Sequence, residues 1–490
     1  MGASPGPSSS SVTTMDRLKM FVFGQPLEQE THIYPVPQSD RRYGFWSLSA
    51  MFAGTQIAVS FFIVGASMIR GVPVWQAMIA VLIGYLAGLF LNALIGAVGQ
   101  REGIPTMVAS RPSFGVRGAI LPIIIVFIEL GGWNAVHIAL GALALKLLLV
   151  GSGLAPDTNA VLIGCVIFFG VLTLLITTRG GLAIRKMNLI VVPLLLVTMG
   201  YLAVVALGDK SLGTVLTTAP EGPNTFIFLI DIAIISALTW APLMADYTRM
   251  GIKPRPTFAA AWLSMAVVGT FMHSIGMFSA SGLGMENPIL ALNDGSILSV
   301  IGTFAILFST LTTAVLILYS SSISGVTIAE SFGIEIKFWQ VALMVGIPSM
   351  ILAGFINVVL FVLPFLEWLG ALLTPVFGVM LADYYIRRRR QLDLDELYRG
   401  AASTFWGTKG VNLNGYAAAV VGALSYVALV IWVRPVAPWI LASVITIAVS
   451  GALYVALEKK RPNGRRTEGT PSDGQPEDHV YLPGDETARR

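Results

Sequence analysis

Apolar runs of about twenty residues, set apart by short clusters of polar residues, glycine and proline, recur along most of the chain. A helix needs roughly 20 apolar residues to cross the hydrocarbon core of a bilayer. Twelve segments reach that length, near 45–69, 74–98, 119–149, 159–178, 187–207, 225–245, 258–281, 298–324, 338–356, 359–386, 414–433 and 437–457. The ninth and tenth are almost fused and part at Asn357. Spans of a transmembrane barrel alternate apolar with polar positions, and these runs do not. The pattern therefore predicts an all-α polytopic membrane protein with 12 transmembrane helices.

Composition sharpens that reading. Of 490 residues, 55% are hydrophobic and 12% charged, against about 25% charged in soluble domains. The charges are also clustered: 31 of the 58 lie within 1–43, 387–413 and 456–490. A compact soluble enzyme and a nucleic-acid binder are excluded as readings of the whole chain. Cys165 is the only cysteine, so an intrachain disulfide or a CxxC metal site is impossible. Residues 1–14 and the tail from Arg461 are polar and rich in Gly and Pro, and read as disordered extensions. No cleavable signal is evident in the first 40 residues.

Orientation follows from the basic residues. With twelve spans and an inside N-terminus, the inner connections carry 16 Lys and Arg, among them Arg101, Arg111, Arg117, Arg179, Arg185, Lys186 and the Arg387–Arg390 run. The outer connections carry four: Arg70, Lys146, Lys210 and Arg434. This bias obeys the positive-inside rule. It predicts cytoplasmic N- and C-termini in a cell membrane, with Arg387–Arg390 as a topology anchor.

Polar groups inside spans are costly, which makes them candidates for function. In the third span, Glu129, Trp133 and His137 recur every four residues on one helical face, beside Gly131 and Gly132, which admit a close neighbour or a flat ligand. This cluster suits a polar heteroaromatic solute, and equally a structural hydrogen-bond cluster between helices. The first span holds a weakly helical island, Gly54, Thr55, Gln56 and Ser60; the sixth has Thr239 and Trp240 just before Ala241-Pro242, where a break is expected. Interrupted helices at matching positions of two halves mark the substrate site of an inverted-repeat transporter. On the eighth span Ser309, Thr312 and Thr313 share a face. They offer oxygens to a small cation or bond back to their own helix. Asp231 falls near a span end, within reach of water, and His273 and Glu367 stand alone.

Three segments together resemble the nucleobase-cation-symport-1 family, the permeases for cytosine, purines, uracil, allantoin and related compounds: SRPSFGVRGA (110–119), ADYTR (245–249) and PVFGVMLADYYIRRRRQLDLDELY (375–398). The resemblance implies the fold of the sodium-coupled amino-acid transporters, with two inverted five-helix repeats at 44–207 and 225–386. Around them it implies an N-terminal cytoplasmic segment at 1–43, a basic cytoplasmic loop at 387–413, two accessory helices at 414–457 and a cytoplasmic tail at 458–490. It makes Trp133 a stacking platform and puts His137 where relatives hydrogen-bond the base. Trp240 becomes a second aromatic, or Ala237 in a register three residues earlier, and Gln56 and Ser60 become substrate contacts. Ser309, Thr312 and Thr313, with carbonyls near Ala53 and Gln56, match the cation site. The sequence departs from the family at Ala314 and Val315, where many relatives carry Asn, and at His137, whose imidazole titrates near neutral pH and admits a proton as the coupling ion. The implied activity is symport of a nucleobase with sodium or a proton across the lipid bilayer, with no other cofactor and no enzymatic step. A P-loop is absent from the sequence, and its four His and single Cys give no constellation for a membrane-embedded enzyme.

Overall fold

The computed structural model describes residues 34–178, 184–331 and 334–458, and every regular element among them is a helix. Residues 1–14, Arg179 and the tail from Arg461 lie outside the described residues, as do the side chains of Arg185 and Lys186. We number the long helices α1 (Phe45–Gln56), α2 (Val59–Met68), α3 (Val74–Glu102), α4 (Ile120–Gly151), α5 (Asn159–Thr178), α6 (Ile184–Leu207), α7 (Phe226–Leu238), α8 (Ala241–Thr248), α9 (Pro254–Leu283), α10 (Ile297–Ser331), α11 (Phe338–Phe355), α12 (Val358–Arg387), α13 (Leu413–Val433) and α14 (Ala442–Glu458). Among the described residues, nine of these are each long and apolar enough to cross a membrane, and α14 is a shorter apolar helix of 17 residues. The pairs α1–α2 and α7–α8 pass the same test jointly, each bent sharply, by 58° and 45°. The ninth and tenth spans part at Asn357, whose side chain accepts from the N–H groups of Val359 and Leu360 and so caps α12.

The two breaks have different local causes. Between α7 and α8, Pro242 occupies the first turn of the new helix, where its missing N–H costs nothing. The carbonyls freed there find partners: Asn92 on α3 donates from Nδ2 to Ala237 at 2.6 Å, and the Thr239 hydroxyl donates to Ser236 at 2.7 Å. Between α1 and α2 there is no proline. Ala58 is extended (φ −137°, ψ 145°), and tight turns from Ile57 to Gly54 and from Ala58 to Gln56 replace the helical ladder. Irregular backbone at membrane depth survives only when such groups are satisfied by protein or lie beside a water-filled cavity.

Glycines let these half-helices pack closely. On α3, a Cβ at Gly84 or Gly88 would lie 2.5 or 2.7 Å from Ala233 or Ala237 of α7, and one at Gly99 would lie 2.6 Å from Ala245 of α8. Likewise Gly65 of α2 meets the backbone of His273 on α9, and Gly276 of α9 meets that of Phe62. In a bilayer, where lipid is as apolar as leucine, such close backbone contact is what drives helix association.

One sequence expectation needs correction, and two segments gain partners that the sequence does not reveal. Asp231 is not wet: it is fully buried, because the connection after α13 brings Arg434 to its Oδ2 at 2.7 Å and the start of α14 brings Ser443 N–H and Oγ–H to its Oδ1 at 2.9 and 2.5 Å. In the Arg387–Arg390 run, which the sequence reads as a topology anchor, two side chains are held by carboxylates. Arg387 pairs with Glu458 (2.9 Å) and Asp383 (3.4 Å), and Arg388 with Asp383 (2.7 Å), all within the helical packing. The segment 387–413, built of turns and short 3-10 pieces, packs as a cap against 110–119. Gly410 O accepts from the N–H groups of Arg117 and Gly118, the Arg117 guanidinium lies over the Trp406 ring, and Arg111 donates to Leu397 O. The family-like stretch 110–119 is thus the surface on which this cap docks.

Candidate functional site

The site is built from the break of the first span, the middle of α4, the break of the sixth span and the flanking faces of α9, α10 and α12. On α4, Glu129, Trp133 and His137 are all buried, as their four-residue spacing requires of one inward face. The Trp133 indole meets two phenyl rings, Phe61 of α2 at a tilt (centroids 6.4 Å, 52°) and Phe365 of α12 edge-on (5.7 Å, 78°). Beyond Phe61, the chain of rings continues to His273 (5.5 Å) and Tyr85 (4.9 Å); beyond Phe365 it reaches Phe361 (5.1 Å). The space that the two α4 glycines open is taken by helices rather than left for a ligand. Phe365 fills the room beside Gly132, and Ser349 of α11 donates to Gly131 O at 2.9 Å.

Around this aromatic core lie polar atoms with no partner. Glu129 Oε2, both amide atoms of Asn134, His137 Nδ1, both amide atoms of Gln56 and His273 Nε2 are buried and unpaired among the described residues. Each such atom costs on the order of 1–3 kcal/mol if left unsatisfied. Inside a membrane protein such atoms are satisfied by water, an ion or a polar solute. Gln56 closes α1 and turns its carboxamide toward Gly269 of α9, where a Cβ would lie 2.8 Å from Oε1. Beside it Gly54 has open space on its free side.

The remaining sequence candidates fall as follows. Ser60 is buried in the first turn of α2, and Thr239 is buried at the sixth-span break. Trp240 is half-buried directly after that break and, among the described residues, makes no ring contact with Trp133; Ala237, the alternative register, is fully buried against α3. On α10, which runs along α4 and touches α2, Ser309 and Thr312 are buried and Thr313 half-buried. The hydroxyls of Thr312 and Thr313 both donate to Ser309 O, at 3.0 and 2.9 Å. Back-bonding of this kind occupies the hydroxyl protons and leaves the oxygen lone pairs free to accept or to ligate. Ala53 sits half-buried on α1, one residue before Gly54.

Sequence reasoning passed over Asn134, Phe61 and Phe365. Asn134 carried a usable signal, a buried amide next to a candidate platform. The two phenylalanines carried none, since a single aromatic in an apolar run is indistinguishable from lipid-facing residues until packing is known.

A family profile described as permease for cytosine/purines, uracil, thiamine, allantoin matches residues 35–450. The chain is 28% identical over 416 residues to a hydantoin permease of Microbacterium maritypicum, covering 79% of this chain and 82% of that one. It is 27% identical over 360 residues to a cytosine permease of Escherichia coli O157:H7, covering 73% and 81%. Its fold is similar to the inward-facing conformation of Mhp1, with a TM-score of 0.75, 24% identity and coverage of 87% of this chain and 92% of that one. With a profile spanning most of its length and three ordered motifs in place, the chain belongs to the family of membrane permeases for cytosine, purines, uracil, thiamine and allantoin.

Proposed function

We propose that this permease is a symporter that imports a planar nitrogen heterocycle, a nucleobase such as cytosine or a purine, together with a cation by alternating access. The observation that carries the reading is the set of unpaired buried groups, Glu129, Asn134 and His137, on the same stretch of α4 as the aromatic Trp133 and next to two broken helices. A heterocycle lying on the indole satisfies such groups with its ring N–H and carbonyl edges, in the way bases are held by aromatic side chains and hydrogen-bond donors. Gln56, Ser60, Thr239 and Trp240 complete the substrate contacts in this reading. Ser309, Thr312, Thr313 and the carbonyls near Ala53 and Gln56 receive the coupling ion, sodium or a proton.

The architecture that goes with it counts each bent pair as one span and α14 as the last, giving twelve. The broken helices then open each of two inverted five-helix halves, 44–207 and 225–386, and the bias of basic residues puts both termini in the cytoplasm at the cell membrane. A second substrate reading, a hydantoin, is favoured by the similarity to the hydantoin permease.

Uptake of labelled cytosine, a purine and a hydantoin into proteoliposomes, with imposed sodium or proton gradients, tests the proposal. One charge moving through 100 mV supplies about 2.3 kcal/mol, enough for roughly fiftyfold accumulation at ~1.4 kcal/mol per decade. Accumulation that vanishes when an ionophore collapses the gradient is the expected result. Equilibration without accumulation indicates a passive pore and rejects symport.

A further inference from the structure

Arg434 lies in the connection between α13 and α14, and its two Nη groups serve two different carboxylates: Nη2 meets Asp231 of α7 at 2.7 Å and Nη1 meets Glu367 of α12 at 2.5 Å. The two contacts are unequal. Asp231 is fully buried and receives two further hydrogen bonds from Ser443, whereas the Glu367 side chain is 30% exposed. Asp231 is therefore the fixed post, and Glu367 the attachment that can be released. Glu367 is two residues past Phe365, the ring that meets Trp133 edge-on, and three past Pro364, which together with Pro375 interrupts the hydrogen-bond ladder of α12. Near Gly370, α12 is wedged against Tyr426 and Ile235, so freedom is confined to the stretch on the Phe365 side.

We propose that Arg434 is a positioning residue for the substrate site: by gripping Glu367 it keeps the part of α12 that bears Phe365 in its edge contact with Trp133. The connection between α13 and α14 thereby holds both α7 and the ring beside the platform with one guanidinium. This inference rests on the reading of Trp133 as the platform. Lysine cannot replace arginine here, because one ammonium lacks the fork that addresses two acceptors held on separate helices.

Removing Arg434 outright strands the buried Asp231 charge and threatens folding, so the test removes the released side instead. In a Cys165→Ser background, the buried Leu366 is changed to Cys and its reaction with a water-soluble maleimide is timed in detergent, with equilibrium binding of labelled cytosine and hydantoin measured alongside. Glu367→Ala is expected to speed labelling at least fivefold and to raise the dissociation rate of the bound heterocycle, with little change in melting temperature. Arg434→Lys is expected to reproduce both effects. A lowered melting temperature with unchanged labelling would reveal a purely structural role and overturn the inference. Unchanged labelling with normal ligand binding overturns it as well, leaving the platform reading intact. Faster labelling in a protein whose parent binds neither cytosine nor hydantoin overturns the substrate role and points instead to failure of the platform reading.

Discussion

Asn92 donates its amide hydrogen to the carbonyl of Ala237 at 2.6 Å, the shortest route by which unbroken α3 satisfies the backbone freed at the sixth-span break. Asn92→Leu removes that donor without changing side-chain size much. Interhelical hydrogen bonds in membranes contribute on the order of 0.6–2 kcal/mol, so a drop of a few degrees in melting temperature is expected in detergent. An unchanged melting curve would mean that the Trp240 N–H, which also reaches this carbonyl at 3.2 Å, suffices for it.

Trp133→Ala removes the proposed platform. Stacking of a base on an aromatic side chain is worth about 1–3 kcal/mol, so heterocycle affinity should fall roughly 5- to 150-fold, read by equilibrium dialysis with labelled cytosine. Retained affinity excludes Trp133 from the site.

Thr313→Ala deletes an oxygen from the face of α10 that carries Ser309 and Thr312. Its hydroxyl proton is already committed to Ser309 O, so the loss to folding is small and the loss to cation ligation is the larger effect. The sodium or proton concentration giving half-maximal uptake should rise severalfold; an unaltered value counts against a cation site on this face.

Gly88→Leu places a side chain where even a Cβ would lie 2.7 Å from Ala237 and from Ile234 O. Close packing of α3 and α7 is then impossible, and the variant should fail to give monodisperse protein on size exclusion. Gly200→Ala, where nothing lies within 4 Å of the added carbon, should elute and melt like the parent.

Stability should respond to acid through Glu396 in the cap formed by 387–413. Burial by itself raises this carboxyl, but the Thr404 N–H at 2.5 Å and the Arg399 guanidinium outweigh it and hold Glu396 below the ordinary carboxylate range. A depressed value stabilises the fold above the unfolded pKa, about 4.3, and the contribution disappears as pH falls through the folded value. The melting-temperature gap between the parent and Glu396→Gln should therefore be full above pH ~5 and close as the pH drops below about 4. A gap that widens with acid contradicts the assignment.

The long apolar helices and both breaks were legible in the sequence, because they depend on local signals: apolar run length, Pro242 in the sixth span, the Gly54-Thr55 island in the first, Asn357 as a cap. What resisted reading was everything set by distant return of the chain. Asp231 reads as wet from its neighbours, and only Arg434 and Ser443, about two hundred residues later, make it a buried anion. Arg387 and Arg388 read only as part of a topology anchor, and their partners Asp383, one turn back, and Glu458 of the last helix emerge from the packing. Of the candidate site, Glu129, Trp133 and His137 stand out in the sequence by their four-residue period, while Phe61 and Phe365 acquire meaning only from what they touch.

The glycine row on α3 has a mechanical corollary. Both halves of the interrupted sixth span are keyed to one continuous rod, the upper half at Gly84 and Gly88 and the lower at Gly99. Neither piece can tilt alone without prising backbone from backbone. A change of angle at the gap between them therefore either breaks one of these two seats or carries the rod along with it.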